Sequence, residues 1–141
     1  MAKKNKIVIT GGDGRFAKIL KSYNKIHDIY YPNKKLLDIL DILSIKTYLK
    51  KIKPKYLIHC AALSRPMDIH DKKISKSIDL NIIGTANMVK VCSDLKIKLI
   101  YFSTGYVYPG KKGNYNENDP VLPINNYAWS KLGGETAVHM Y

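Results

Sequence analysis

Residues 6 to 23 read KIVITGGDGRFAKILKSY. A short apolar run ends at Thr10 in a cluster of glycines. The next apolar residues, Phe16, Ile19, Leu20 and Tyr23, then fall at helical spacing. This strand, turn and helix set a pattern that the rest of the chain repeats. HDIYY is a second strand closed by Pro32 and Asn33, and LLD is a short extended piece. SIKTYLKKI reads as a helix stopped near Pro54, and KYLIHCAA as a core strand. From Lys73 to Leu95, Ile74, Ile78, Ile82, Ala86 and Val89 recur at steps of three and four, as in one long amphipathic helix. IKLIYFST is a strand apolar on both faces, and a helix carrying Tyr127 follows. Strands that alternate with helices imply an α/β fold: an open parallel sheet of Rossmann type, covered on both sides, with five core strands.

In such sheets, ligands bind at the carboxyl ends of the strands. Three loops therefore converge: TGGDGRFA, CAALSRP and STGYVYPG. In the first, Gly11 and Gly14 let the backbone turn tightly and approach a pyrophosphate at the helix N-terminus. Ala17 stands where a third glycine often packs. An ordinary strand-to-helix turn would also tolerate these glycines, so the alternating context carries the dinucleotide reading.

With 141 residues and 45% apolar content, residues 1–141 make one domain with a core. The net charge of +13 is carried almost wholly by lysine, since Arg15 and Arg65 are the only arginines. The lysines are scattered and no aromatic-basic motif accompanies them, which argues against nucleic acid as a partner. Cys60 and Cys92 lie far apart in apolar runs and read as buried free thiols of a reducing compartment. No stretch is apolar for long enough to span a bilayer, so the expected setting is the cytoplasm, without a membrane. No metal-ligating set is picked out.

Tyr-x-x-x-Lys occurs four times, at Tyr30/Lys34, Tyr31/Lys35, Tyr108/Lys112 and Tyr127/Lys131. Pro32 or Pro109 interrupts the first three, and proline disfavours a shared helical face there. Only Tyr127 and Lys131 can project together from one turn of helix.

Several of these features occur in one order: Thr10-Gly11-x-x-Gly14-x-x-Ala17, Cys60-Ala61-Ala62, Asn81-x-x-Gly84, Ser103-Thr104-Gly105-Tyr106-Val107-Tyr108 and Tyr127-x-x-x-Lys131. Together they resemble the extended short-chain dehydrogenase/reductases, most closely the dTDP-4-dehydrorhamnose reductase group. The resemblance implies an oxidoreductase that binds NADP or NAD. Tyr127 would be the general acid toward a substrate carbonyl, and Lys131 would lower its pKa and hold the ribose. Thr104 would orient the same oxygen, with Ser103 the competing hydroxyl. Asn81 would either order water or pack against a neighbouring strand. Gly11, Gly14, Arg15, Phe16, Cys60, Ala61 and Ala62 would meet the cofactor. Asp38 and Ile39 match the adenine contact, although Asp38 would serve equally as a cap or turn residue. Ser64, Thr104, Gly105 and Tyr106 would face the substrate.

The departures bear on substrate. Gly105 stands where close relatives usually carry Asp, and RPMDIH departs from their acidic continuation. Gly105-Tyr106 replaces the Asp-Glu pair of the sugar-nucleotide dehydratases, which argues against water elimination. No acid closes the second strand, whereas Lys34, Lys35 or Arg15 would suit the extra phosphate of NADP. The implied function is NADP-dependent reduction of a nucleotide-linked keto-deoxysugar. The alternatives are an NAD-dependent sugar-nucleotide 4-epimerase and a non-catalytic dinucleotide-binding regulatory subunit.

Members of the group have roughly twice this length, adding further strands and a substrate region. Without them, IKLIYFST becomes an apolar edge that invites pairing between copies. Residues 1–141 alone are therefore expected to be oligomeric or poorly soluble, and to show no reductase turnover. Light scattering that finds a monodisperse monomer, together with turnover of a keto-sugar nucleotide, would refute both expectations.

Overall fold

The computed structural model describes residues 5–141. Strands β1 (Lys6–Ile9), β2 (Asp28–Tyr30), β3 (Tyr56–His59) and β4 (Lys98–Tyr101) form one parallel sheet in the order β2-β1-β3-β4. The helices are α1 (Arg15–Tyr23), α2 (Ile42–Ile52), α3 (Ile69–Lys72), α4 (Ile74–Ser77), α5 (Gly84–Leu95) and α6 (Asn126–His139).

Register decides which side chains share a face. Val8 pairs with Tyr30 and Leu57, and Leu57 with Leu99. These residues face α2 and α5, where Ile45, Leu49, Met88, Val91 and Cys92 complete the core. Ile9, Ile58 and Ile100 lie in register on the opposite face, the side of α1. There the cover thins toward β4: Ile100 is 46% exposed and Phe102 50%. Phe102 meets a tilted Phe16 ring, with centroids 5.4 Å apart. The run read as apolar on both faces is thus an edge strand whose outer face is half open.

The sheet has four strands among the described residues where the sequence suggested five. The LLD stretch is folded back into turns. Leu36 N and Leu37 N both donate to the Asn33 carbonyl, and Asn33 Oδ1 also accepts Leu36 N. Asp38 N donates to Ser44 Oγ, while Asp38 Oδ1 accepts Leu40 N. Short polar side chains have taken the backbone groups that a strand ladder would need. Leu37 and Ile39 still reach the core.

The single helix expected from Lys73 to Leu95 is also divided. Lys73 leaves helical geometry at φ −138°, ψ 65°, and residues Ile78–Ile83 form a π-helical stretch. A π turn widens the helix by one residue but keeps apolar steps of three and four, so periodicity alone does not reveal it. Helix ends are local: Asp41 accepts Leu43 N and Ser44 N to cap α2, and Asn125 accepts Ala128 N to cap α6. No helix among the described residues is long and apolar enough to cross a membrane.

Leu57 is fully buried at the centre of this sheet. Leu57→Ala should lower the free energy of unfolding by about 2–5 kcal/mol. Leu43→Ala, at a side chain 74% exposed, should change it by less than about 0.5 kcal/mol. Urea unfolding followed by circular dichroism measures both.

Candidate functional site

At the carboxyl end of β1 the chain passes through glycines with little freedom to change. Gly11 has φ +74°, and a Cβ there would lie 3.2 Å from the Ala61 backbone. A Cβ on Gly14 would approach the Gly11 carbonyl at 2.9 Å, and one on Gly12 would sit 2.3 Å from the Tyr31 carbonyl. The sequence reading passed over Gly12, because its constraint comes from the end of β2 and not from the turn itself. The Gly14 amide closes the turn on the Gly11 carbonyl at 2.8 Å, and Arg15 and Phe16 open α1.

Two adjoining hollows flank this turn. One, of about 250 Å³, is lined by Phe16, Cys60, Ala62, Ser64, Tyr127 and Lys131, with His59, Phe102 and Ser103 completing its wall. The other, of about 220 Å³, is lined by Gly11, Lys34, Asp38, Ile39, Ala61 and Ala62. Ala62 belongs to both, so the two form a groove across the ends of β1 and β3. A third hollow beyond them holds Asp13, Lys34 and Lys35. Lys34 Nζ lies 3.6 Å from Asp38 Oδ2.

Tyr127 and Lys131 project from the first turns of α6 into the same hollow. Lys131 is 4% exposed, yet among the described residues its ammonium has no hydrogen-bond or ion-pair partner. It rests 4.1 Å from the centroid of the Tyr101 ring, and the Tyr101 hydroxyl donates to the Lys131 carbonyl. Burial pulls the Lys131 pKa down to about 8, against the opposing pull of Cys60 and Glu135. The Cys60 thiol is pushed up to about 11, mainly by burial. The Tyr127 phenol is also held above its usual range by burial, while the Thr104 hydroxyl and the Arg65 guanidinium pull it back. In this arrangement the Lys131 ammonium sits over the Tyr101 ring, in the hollow that Tyr127 also lines.

A buried polar chain supports the site from beneath. Thr10 Oγ1 accepts the amides of Cys60 and Ala61, so its proton goes to His59 Nδ1 at 2.8 Å. His59 Nε2 then carries the ring proton toward Thr85 Oγ1 at 3.2 Å, and Thr85 donates to the Asn81 carbonyl. His59 is pushed down to about 3 by burial and by the Lys131 charge, so it stays neutral. Asn81 Oδ1 accepts Leu63 N, and Nδ2 donates to the Leu63 carbonyl and to Ser130 Oγ. Ser130 in turn donates to the Tyr127 carbonyl. The Asn81 side chain thus clamps the loop of Ser64 to α6, with both of its protons engaged.

Thr104, Gly105 and Tyr106 follow Ser103 and lie outside both linings. Thr104 Oγ1 accepts the Tyr106 amide, and a Cβ on Gly105 would meet nothing within 4 Å. The Tyr106 ring stands edge-on to Tyr127, 6.5 Å between centroids. Ser103, the competing hydroxyl, is hydrogen-bonded to the Glu135 carboxylate. Arg15 lies outside both linings. His59 escaped the sequence reading because it sits inside an apolar strand run, with partners 49 and 26 residues away.

A family model described as RmlD substrate binding domain matches residues 5–141. Methionine adenosyltransferase 2 subunit beta of Xenopus laevis is 36% identical over 107 residues, covering 76% of this chain and 32% of the relative. The dTDP-4-keto-6-deoxy-D-glucose reductase of Streptomyces niveus is 34% identical over 103 residues, 72% of this chain and 35% of the relative. Among solved structures, dTDP-4-dehydrorhamnose reductase from Bacillus anthracis, in complex with NADP, superposes with a TM-score of 0.93 at 35% identity. It covers 99% of this chain and 51% of its own. The chain thus carries the fold of about half of that protein, and spans about a third of these curated relatives.

Because the Lys131 pKa is lowered on folding, the unfolded chain binds the extra proton between about pH 8 and its ordinary value. Stability of the wild type relative to Lys131→Met should therefore rise with pH across that window, by on the order of 1–3 kcal/mol. Urea unfolding of both proteins from pH 7 to 10.5 measures the difference; a flat difference would mean that Lys131 is not buried as a cation.

Proposed function

This chain belongs to the RmlD substrate-binding-domain family, and from that membership we propose that it is the dinucleotide-binding part of an NADP-dependent reductase of a nucleotide-linked keto-sugar. The observation that carries the reading is Lys131: a buried ammonium, free of protein partners among the described residues, that lines one hollow with Tyr127. Three idle donors in a polar hollow fit the ribose hydroxyls of a dinucleotide. The cradle of Gly11, held at φ +74°, with Gly12 and Gly14, where a Cβ would collide with backbone, fits a pyrophosphate at the start of α1. Asp38, Ile39, Ala61 and Ala62 line the far hollow, which suits an adenine.

Bound there, the cofactor supplies hydride to a carbonyl carbon. The residues of the chain do the rest. Tyr127 keeps its proton at neutral pH, since burial raises its pKa, and delivers it from its phenol oxygen to the carbonyl oxygen. Thr104 donates a hydrogen bond to the same oxygen and fixes its direction. Lys131 restrains the ribose and offers its charge as the phenolate forms. Asn81 acts through Leu63 and Ser130, holding the loop and the start of α6 in place. Ser64, Gly105 and Tyr106 bound the substrate side.

The extra phosphate of NADP suits the third hollow, where Lys34 and Lys35 stand beside the turn. β2 ends at Tyr30 without the carboxylate that would seat a ribose 2′-hydroxyl. A second reading rests on the adenosyltransferase subunit beta likeness: a subunit that binds a dinucleotide without turnover. The 4-epimerase alternative differs in retaining its cofactor after each turnover.

NADPH titrated by fluorescence should bind more tightly than NADH, and Lys131→Met should weaken both. A clear NADH preference refutes the NADP assignment. Tyr127→Phe should bind NADPH almost as the wild type does, yet lose about 10² to 10⁴ in carbonyl reduction. That rate belongs to the chain extended to the length of its solved relatives. Unchanged turnover in the variant removes Tyr127 from the chemistry, and binding without turnover of any keto-sugar nucleotide favours the subunit reading.

A further inference from the structure

His70, the last residue of the RPMDIH stretch, lies outside both hollows, yet it is 1% exposed. Its ring packs on the ring of Tyr127, with centroids 5.1 Å apart and planes at 56°. Tyr106 stands against Tyr127 as well, so the phenol is bracketed by two rings. His70 Nδ1 is 2.6 Å from Ser77 Oγ, and Ser77 is itself buried. An unbroken α-helix would separate positions 70 and 77 by about 10 Å along its axis. The break at Lys73, φ −138° and ψ 65°, folds α3 against α4 and lets the two side chains meet. The same corner is tied to α6, where Asn126 Nδ2 donates to Asp71 Oδ1 at 2.8 Å.

A simple core filler does not account for this residue. His70 Nε2 is shut off from solvent without a hydrogen-bond partner, an arrangement that costs stability. Leucine or phenylalanine would fill the space without that cost. Burial depresses the His70 pKa, while Asp71 and the Ser64 carbonyl pull it back up. Ser64 lines the hollow beside Tyr127. The ring therefore meets two things at once: the α4 serine that anchors it and the ring of the tyrosine.

We infer that His70 is a positioning residue for Tyr127, anchored through Ser77, that holds the phenol at the angle from which its hydroxyl meets the substrate. The catalytic part of this inference rests on the reductase reading above; the placement of the ring does not. One hydrogen bond joins Nδ1 to the Ser77 hydroxyl, and Nε2 is left buried without a partner.

The test uses the chain extended to the length of its solved relatives, labelled at tyrosine and histidine, with the Tyr127 signals assigned by their loss in Tyr127→Phe. Ser77→Ala removes only the hydroxyl that fixes the imidazole, and His70→Phe keeps a ring but loses both nitrogens. Both should displace the resonances of the Tyr127 ring and of Tyr106, which stands against it, and leave the remaining tyrosines in place. In the extended chain both should lower kcat about tenfold or more, as a misplaced reacting group does, with NADPH affinity unchanged. Tyr127 resonances identical to wild type in both folded variants would overturn the inference; should His70→Phe fail to fold, Ser77→Ala decides alone. A wild type that never turns over a keto-sugar nucleotide counts against the reductase reading, and the resonances still judge His70.

Discussion

A buried line of side-chain hydrogen bonds joins the end of β1 to the first turn of α6. It runs from Thr10 through His59 and Thr85 to Asn81, then through Ser130 to the Tyr127 carbonyl. Each group in it uses its donors and acceptors in one consistent direction, which is what makes a buried polar network tolerable. The glycine turn and the tyrosine helix come from opposite ends of the chain. Strand pairing does not link them, because α6 is a helix outside the β2-β1-β3-β4 sheet. The side-chain line does. It also fixes the loop after β3, since Thr10 holds Cys60 and Ala61 while Asn81 holds Leu63.

This line explains the π-helical stretch. Asn81 must face inward toward Leu63 and Ser130, while Thr85, one ordinary turn later, must reach the Asn81 carbonyl and His59 together. Gly84 lies between them, where a Cβ would stand 2.7 Å from Ile39 Cδ1. The wider turn and the missing side chain let the helix approach the Ile39 turn while Asn81 points at the site. π turns gather at functional positions for this kind of reason.

Much of the architecture was legible because strands and helices announce themselves locally. KIVI, YLIH and KLIY are apolar runs of strand length, and α1 and α2 carry apolar residues on one face. The Tyr127/Lys131 pair was legible for the same reason, since one turn of helix fixes the spacing. What escaped was set by partners distant in sequence. LLD has strand-like residues, but Asn33 and Asp38 bind its backbone first. Gly12 matters because Tyr31 passes over it, and Tyr101 because Lys131 lies on its ring thirty residues later. His70 and Ser77 meet only because Lys73 breaks the helix.

The charge of the chain acts at two levels. Most lysines are at the surface, where their field attracts anions but is screened within roughly 8–10 Å at physiological salt. Lys131 is the only lysine buried among the described residues. Its charge sits between Tyr101, Cys60 and Glu135, none of which pairs with it within ion-pair distance. A desolvated cation without a counter-charge costs stability in the free chain, and that cost falls when hydroxyl oxygens accept from the ammonium. The surface lysines therefore bear on how fast an anionic ligand arrives. In the proposed complex Lys131 would bear on how tightly a ribose is held, because among the described residues only that lysine has an unsatisfied buried state to exchange for a satisfied one.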